Sequence, residues 1–196
     1  MSCISIEIPK PHQRHLRMDA ISLLRSLRLT NQEPKLPSTS AGQDTVNILR
    51  QYGLTNTHRA LERFAVARDC GKVVGAAHFF ANSIAITSLL NAGETDRAQM
   101  ILDQANLAHL GVQEDYRGQG IGSSLIQATE REARSVGFTL LYGFAEGDTV
   151  KLHKFYTANG FSTGGSGNSA PPEIYGDLAF RMAPVPRQGE YFWKKI

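Results

Sequence analysis

Two things are scarce in this 196-residue chain, cysteine and net charge. Cys3 and Cys70 are its two cysteines. They are too few for a disulfide framework and lack metal-ligand spacing, so free thiols in a reducing cytoplasm are expected. A formal net charge of +3 is too small by itself to argue for a nucleic-acid partner. No apolar run approaches the roughly 18 residues a membrane-spanning helix needs. Near the start, Lys10, His12, Arg14, His15 and Arg17 interrupt any stretch that could serve as a secretory signal. No internal repeat is evident. These exclusions point to a soluble cytoplasmic protein, and 41% apolar with 20% charged residues is ordinary for one. The length suits one domain spanning residues 1–196 and is short for two.

What is present concentrates between residues 107 and 161. Leu107-Ala108-His109-Leu110-Gly111-Val112 is an apolar run short enough for one buried strand. Arg117-Gly118-Gln119-Gly120-Ile121-Gly122 follows, and from Ser123 to Val136 the spacing is helical. Leu125, Ile126, Thr129, Ala133 and Val136 share one face, while Glu130 and Arg134 form an i,i+4 pair outside it. Gly137 is a natural stop. Three glycines therefore sit where a strand turns into a helix N-terminus. Such a corner offers unpaired backbone N–H groups and the positive end of the helix dipole, which suits a phosphate. Two common phosphate loops are missing. Counting from Gly118 puts Ser123 where G-x-G-x-x-G needs its third glycine, and no Gly-Lys-Ser/Thr occurs. Alone, the glycines could equally make a tight turn and nothing more.

The pattern that remains, Arg-x-x-Gly-x-Gly at Arg117, Gly120 and Gly122, resembles the coenzyme A pyrophosphate loop of the GCN5-related N-acetyltransferase (GNAT) superfamily. Phe155-Tyr156-Thr157-Ala158-Asn159-Gly160-Phe161 is similar to the same family's Phe/Leu-Tyr-x-x-x-Gly-Phe signature. The resemblance implies an α/β (α+β) fold, a mixed and mostly antiparallel sheet of about six to seven strands flanked by helices and splayed at the acyl-CoA site. It implies acetyl-CoA as co-substrate, no metal, and direct transfer of an acetyl group to a primary amine on a small-molecule or amino-acid-like acceptor. A protein or aminoacyl-tRNA acceptor stays open, as does a non-catalytic coenzyme A-binding regulatory module.

Along the rest of the chain, residues 3–8 alternate weakly as a first strand, and residues 12–29 read as a helix with Leu16, Ala20, Leu23 and Leu27 inward. Arg14, Arg17, Arg25 and Arg28 share another side, either a solvated face or an attractant for an acidic partner. Residues 31–42 carry loop chemistry, and Asp44 is placed to cap a helix running to Tyr52. Residues 64–80 read as a hairpin turning at Cys70-Gly71. Residues 82–104 are too long for a plain hairpin connection and read as a surface excursion or an insertion beside the acceptor pocket, with 83–90 open between strand and helix and 95–102 helical in character. Residues 138–145 are a strand, Asp148 caps a helix over 149–159, residues 163–172 are a loop and 174–182 a last strand. Residues 184–196 read as a C-terminal extension, its aromatic and basic end docking on its own domain or across a homodimer.

By resemblance, backbone N–H groups from Gly118 through Gln119, Gly120, Ile121 and Gly122 to Ser123 would surround the pyrophosphate, with Arg117 shaping the loop or touching phosphate. Leu110-Gly111-Val112 would pair with the pantetheine arm, and the Val112 N–H would polarise the thioester carbonyl. Thr149 stands seven residues before Tyr156, where the family usually carries a coenzyme-contacting asparagine. Tyr156 is the candidate general acid for the departing thiolate, a phenol being protonated up to about pH 10. The base is harder to find. Strict alternation puts Gln104, Asn106 and Ala108 on one face and His109 on the other, unless a bulge intervenes. His109, His78 and Glu146 are the candidates, each with a structural role as its alternative. His12-x-x-His15 offers two ligands without a third, a poor metal site.

Overall fold

The computed structural model describes residues 3–29, 39–176 and 189–196, with side chains of the second segment described from residue 43. Seven strands form one open sheet: β1 (Ile4–Glu7), β2 (Arg63–Asp69), β3 (Lys72–Phe80), β4 (Gln104–Val112), β5 (Leu140–Ala145), β6 (Ser162–Thr163) and β7 (Glu190–Lys195). Their spatial order is β1-β2-β3-β4-β5-β7-β6, antiparallel throughout except for the parallel pair β4/β5. The fold is the mixed, mostly antiparallel sheet expected above. Cys70 and Gly71 turn the β2–β3 hairpin with φ of 44° and 93°, the paired left-handed values that a two-residue turn needs to match strand twist.

Helices cover both faces. On one, α1 (Arg14–Ser26) buries Leu16, Ala20, Ile21, Leu23 and Leu24 over Phe64, Val66 and Ala76. On the other, α5 (Ile121–Ser135) crosses β2 and β3, where Ala65, Ala67, Gly75 and Ala77 leave room for it to lie close. The end of α5 is fixed to the start of β4 by Arg59. Its guanidinium donates from Nε to the Val136 carbonyl at 3.0 Å and pairs with Asp103.

Helix α2 spans Thr39–Gln51, so helix begins ahead of Asp44; residues 31–38 of the expected loop lie outside the described residues. The stretch between β3 and β4 is a pair of helices: α3 (Ser83–Asn91) resolves the open reading of 83–90 as helix, and α4 (Thr95–Leu102) is the helix expected there. Asn82 caps α3 by accepting from the Ala85 N–H at 3.1 Å, and Ile86, Leu89 and Leu90 point inward at helical spacing. Asp148 caps α6 (Thr149–Ala158) in the same manner, accepting from Lys151 N–H at 3.1 Å.

Two readings of the C-terminal region change. Ile174 is in a short helix, α7 (Pro172–Tyr175), started by a proline at its first position, so no strand begins at 174; residues 177–182 lie outside the described residues. The tail is part of the sheet: β7 lies between β5 and β6. Its alternation explains the insertion. Phe192 stacks on Tyr156 of α6, while Tyr191 turns to the other face against Phe144.

Candidate functional site

The sheet opens beside its centre. β4 and β5 are paired over Gln104–Asn106 and Leu140–Tyr142, and past that point no β5 residue pairs with the outer edge of β4 among the described residues. Gln113 donates its N–H to Val74 on the β3 side at 2.9 Å. Backbone groups alternate sides along a strand, so Val112 and Leu110 turn theirs toward the opening. A cavity of about 430 Å³ follows this free edge. Leu110, Gly111, Val112, Arg117, Gly118, Gly120, Ile121, Gly122 and Ser123 line it, and Tyr156 closes it from α6. Gln119 and Thr149 are not among its lining residues. Gln119 donates its side-chain amide to the Asp115 carbonyl at 3.2 Å, and Thr149 begins α6 behind its cap.

The loop is shaped by two left-handed glycines, Gly118 at φ 74° and Gly120 at φ 77°, the latter the N-cap of α5. Among the described residues, the amides of Gly118 to Ser123 donate to no backbone carbonyl, whereas that of Ser124 reaches Gly120 O at 3.0 Å. A row of free N–H groups at the positive end of a 15-residue helix fits a diphosphate. Gly122 has a further reason to be small: a Cβ there would lie 3.2 Å from the Phe155 ring, so the glycine lets α5 and α6 approach. Arg117 donates from Nε to Val112 O at 3.1 Å, fastening the loop to β4. Tyr116, not foreseen from sequence, lines the cavity and donates its hydroxyl to Asp69 Oδ2 at 3.1 Å, tying the loop to the β2–β3 turn. Leu152 and Phe155 are the other lining residues that sequence reasoning missed; both lie on the helix that carries Tyr156.

Tyr156 is 6% exposed, its ring stacked on Phe192 with centroids 3.6 Å apart and edge-on to Phe155 and Phe161. Its hydroxyl has no hydrogen-bond partner among the described residues, and burial raises its pKa, so the phenol keeps its proton at neutral pH.

On the opposite face a bulge changes the alternation of β4. His109 pairs with His78 and Leu107 with Phe79, which leaves Ala108 as the extra residue. That single residue moves His109 onto the same face as Asn106, correcting the strict alternation expected from sequence. There the His109 and His78 Nδ1 atoms are 3.2 Å apart, so one ring donates and the other accepts. His78 is 3% exposed and stacked on Phe64 with centroids 4.4 Å apart. Burial, then the neighbouring His109 and Arg17, pull its pKa down to about 3. Burial lowers that of His109 as well. Both rings are therefore unprotonated bases at neutral pH. Along the same face Tyr142, paired beside Asn106, shares a 3.2 Å hydrogen bond with the Tyr175 hydroxyl, which also accepts from Asn82. Glu146 is exposed beyond the end of β5, and its carboxylate has no partner among the described residues.

A family model described as an acetyltransferase (GNAT) domain matches residues 60–163. No relative is found among curated proteins. Among solved structures, the chain is similar to a ribosomal-protein-alanine N-acetyltransferase from Brucella melitensis, with 15% identity, a TM-score of 0.55, and 98% of this chain and 99% of that one covered. An acetyltransferase from Streptococcus agalactiae is 20% identical with a TM-score of 0.54, covering 98% of each chain. An IAA acetyltransferase from Bacillus cereus is 16% identical with a TM-score of 0.51, covering 98% and 99%. At these identities the likeness speaks for the fold.

Proposed function

Because the chain belongs to the GNAT acetyltransferase family and is thus an acetyl-CoA-dependent N-acyltransferase, we propose that it passes the acetyl group directly to the primary amine of a small-molecule or amino-acid-like acceptor. One observation carries this reading. The cavity reaches β4 at Leu110, and the next residue back, His109, emerges on the other face. A donor lying in the split would thus be reachable from both sides.

Acetyl-CoA supplies an acyl carbon activated by its thiolate leaving group. The amides of Gly118 to Ser123 hold its diphosphate, and the outward backbone groups of Leu110 and Val112 align its arm along β4. An N–H on this edge, that of Val112 in our reading, faces the developing oxyanion. His109 takes the proton from the attacking amine, being uncharged at neutral pH. Tyr156 holds its proton until the sulfur anion forms, then donates it.

We favour a small acceptor over an acidic macromolecule. The arginine stripe on α1 was the support for the latter, and one of its members is turned inward: Arg17 donates to the Glu62 carbonyl at 2.6 Å and lies over the Phe64 ring. We keep the cytoplasmic setting read from the sequence as part of this proposal. Among the described residues, no helix is long and apolar enough to cross a membrane.

The test is thiol release and acceptor mass change on mixing the protein with acetyl-CoA and a panel of amines, beside calorimetry with acetyl-CoA alone. Heat of binding and amine-dependent thiol release are expected. Binding without transfer to any amine would leave only the non-catalytic module, and no binding at all would end both readings.

A further inference from the structure

The base proposed above faces a practical difficulty, because a half-buried imidazole that accepts a proton while the acceptor still covers it would be left holding a charge. The geometry points to His78 and Glu62 as its exit: we infer that the proton taken by His109 passes through His78 to Glu62 and then to water. This rests on the transfer reaction proposed above, and adds two residues that would not touch the substrate.

The chain of atoms is continuous. His109 Nδ1 is 3.2 Å from His78 Nδ1, and the rings are stacked at 5.5 Å with 10° between their planes. On the far side of the His78 ring, Nε2 is enclosed and has no hydrogen-bond partner among the described residues, where the nearest carboxylate oxygen, Glu62 Oε2, is 3.8 Å away. A bridging water or a small swing of the acid spans that gap. Glu62 can swing, since its side chain is 43% exposed while that of His78 is 3% exposed. A buried ring nitrogen without a partner is costly, and a residue needed only to fill space beside Phe64 and Phe80 would be better served by a third aromatic ring.

The proton balance closes. At rest His109 donates its Nδ1–H to His78 Nδ1, and His78 carries its other proton on Nε2, toward Glu62. As the C–N bond forms and the C–S bond breaks, His109 Nε2 takes the amine proton and releases its Nδ1 proton to His78. His78 releases its Nε2 proton to the Glu62 carboxylate, which gives it up to solvent. Tyr156 protonates the thiolate and is reprotonated from water, so no net proton is consumed. The pair resets once the product has left: His109 Nε2 yields a proton to water in the emptied site, the shared proton returns from His78 Nδ1 to His109 Nδ1, and His78 Nε2 regains one from water through Glu62. Among the described residues, the charged or titratable groups facing the pair are Arg17 from α1 and Glu62 from the turn before β2. Arg17 opposes a lasting positive charge on His78, which favours passage over storage.

The experiment compares the wild-type protein with His78→Phe, His78→Gln and Glu62→Gln by single-turnover rate against pH and by solvent deuterium content, with acetyl-CoA affinity measured alongside. Phenylalanine keeps the stack on Phe64; glutamine keeps an acceptor for His109 but cannot relay. The wild type should slow in D₂O with a curved dependence on deuterium fraction, because more than one proton moves. His78→Phe and His78→Gln should each lose about tenfold or more in rate, give a straight deuterium dependence, and bind acetyl-CoA as before. Glu62→Gln should lose a few-fold and flatten the same curve. Unchanged rate and deuterium dependence in His78→Phe, with acetylation intact, overturns the relay alone. Absence of acetylation in the wild type removes the proposed function and the relay together.

Discussion

The two faces of the split sheet are made of different material. In the reading proposed above, the working parts on the donor side are main chain: the free amides after Gly118, the outward edge of β4, and a helix N-terminus. On the proposed acceptor side they would be side chains, His109 and His78 with Asn106, Tyr142, Tyr175 and Asn82 beside them, from β3, β4, β5 and the segments that start α3 and end α7. A main-chain site is broken by adding a side chain, and a side-chain site by removing one. Tyr156, the proposed general acid, is the exception, a side chain standing in the donor wall.

This contrast predicts where substitutions bite. The largest effect should come from Gly120→Asp. A non-glycine residue at φ 77° costs about 1–2 kcal/mol, and a carboxylate at the helix N-terminus would compete with the diphosphate. Acetyl-CoA binding, followed by calorimetry, should weaken by about 100-fold or more, with Gly120→Ala between it and wild type. Near-normal binding by the Asp variant would refute the main-chain reading.

On the other face, His109→Ala should lower kcat by about 100-fold and leave acetyl-CoA affinity alone. A loss of affinity instead would mean that the two faces are not separable.

Acid should also find the acceptor side first. The His78 pKa is about 3 in the folded state and about 6.5 in the unfolded chain. Between these values the unfolded chain binds more protons, so stability that is complete above about pH 6.5 is lost as the pH falls toward 3, by up to about 1.4 kcal/mol per pH unit. Urea unfolding at stepped pH should show a shallower fall in His78→Phe than in wild type. Parallel curves would remove His78 as the cause.

The smallest effect is expected at the exception. Tyr156→Phe keeps the stack on Phe192 and removes a hydroxyl with no partner among the described residues, so melting temperature and coenzyme affinity should hold while kcat falls about tenfold. An unchanged kcat would take Tyr156 out of the chemistry.

The same contrast explains what could be read in advance. A free-amide loop is written locally, because Gly118 and Gly120 must be glycine wherever the chain turns left-handed into a helix. The 117–122 motif and the strand and helix flanking it were legible for that reason. The acceptor side was not. His109 meets His78 across 31 residues, and only through a bulge at Ala108, a residue with no feature that marks a bulge. Alternation alone therefore put His109 on the wrong face. The same holds for α3, whose apolar run fits strand and helix alike until the Asn82 cap is seen to close its first turn. Nor did the aromatic tail announce a strand, since β7 finds its partners in β5 and in a β6 only two residues long.

That placement of β7 bears on how the molecule is made. A ribosome delivers β5, α6 and β6 before the strand that must slot between β5 and β6. Until residues 190–195 emerge, Phe161 and the tyrosine beside it lack the ring of Phe192 that covers them. A nascent chain paused upstream of Glu190 would thus display a sticky aromatic seam to chaperones. A premature stop there would leave the donor wall unassembled, with every residue of the glycine loop still in place.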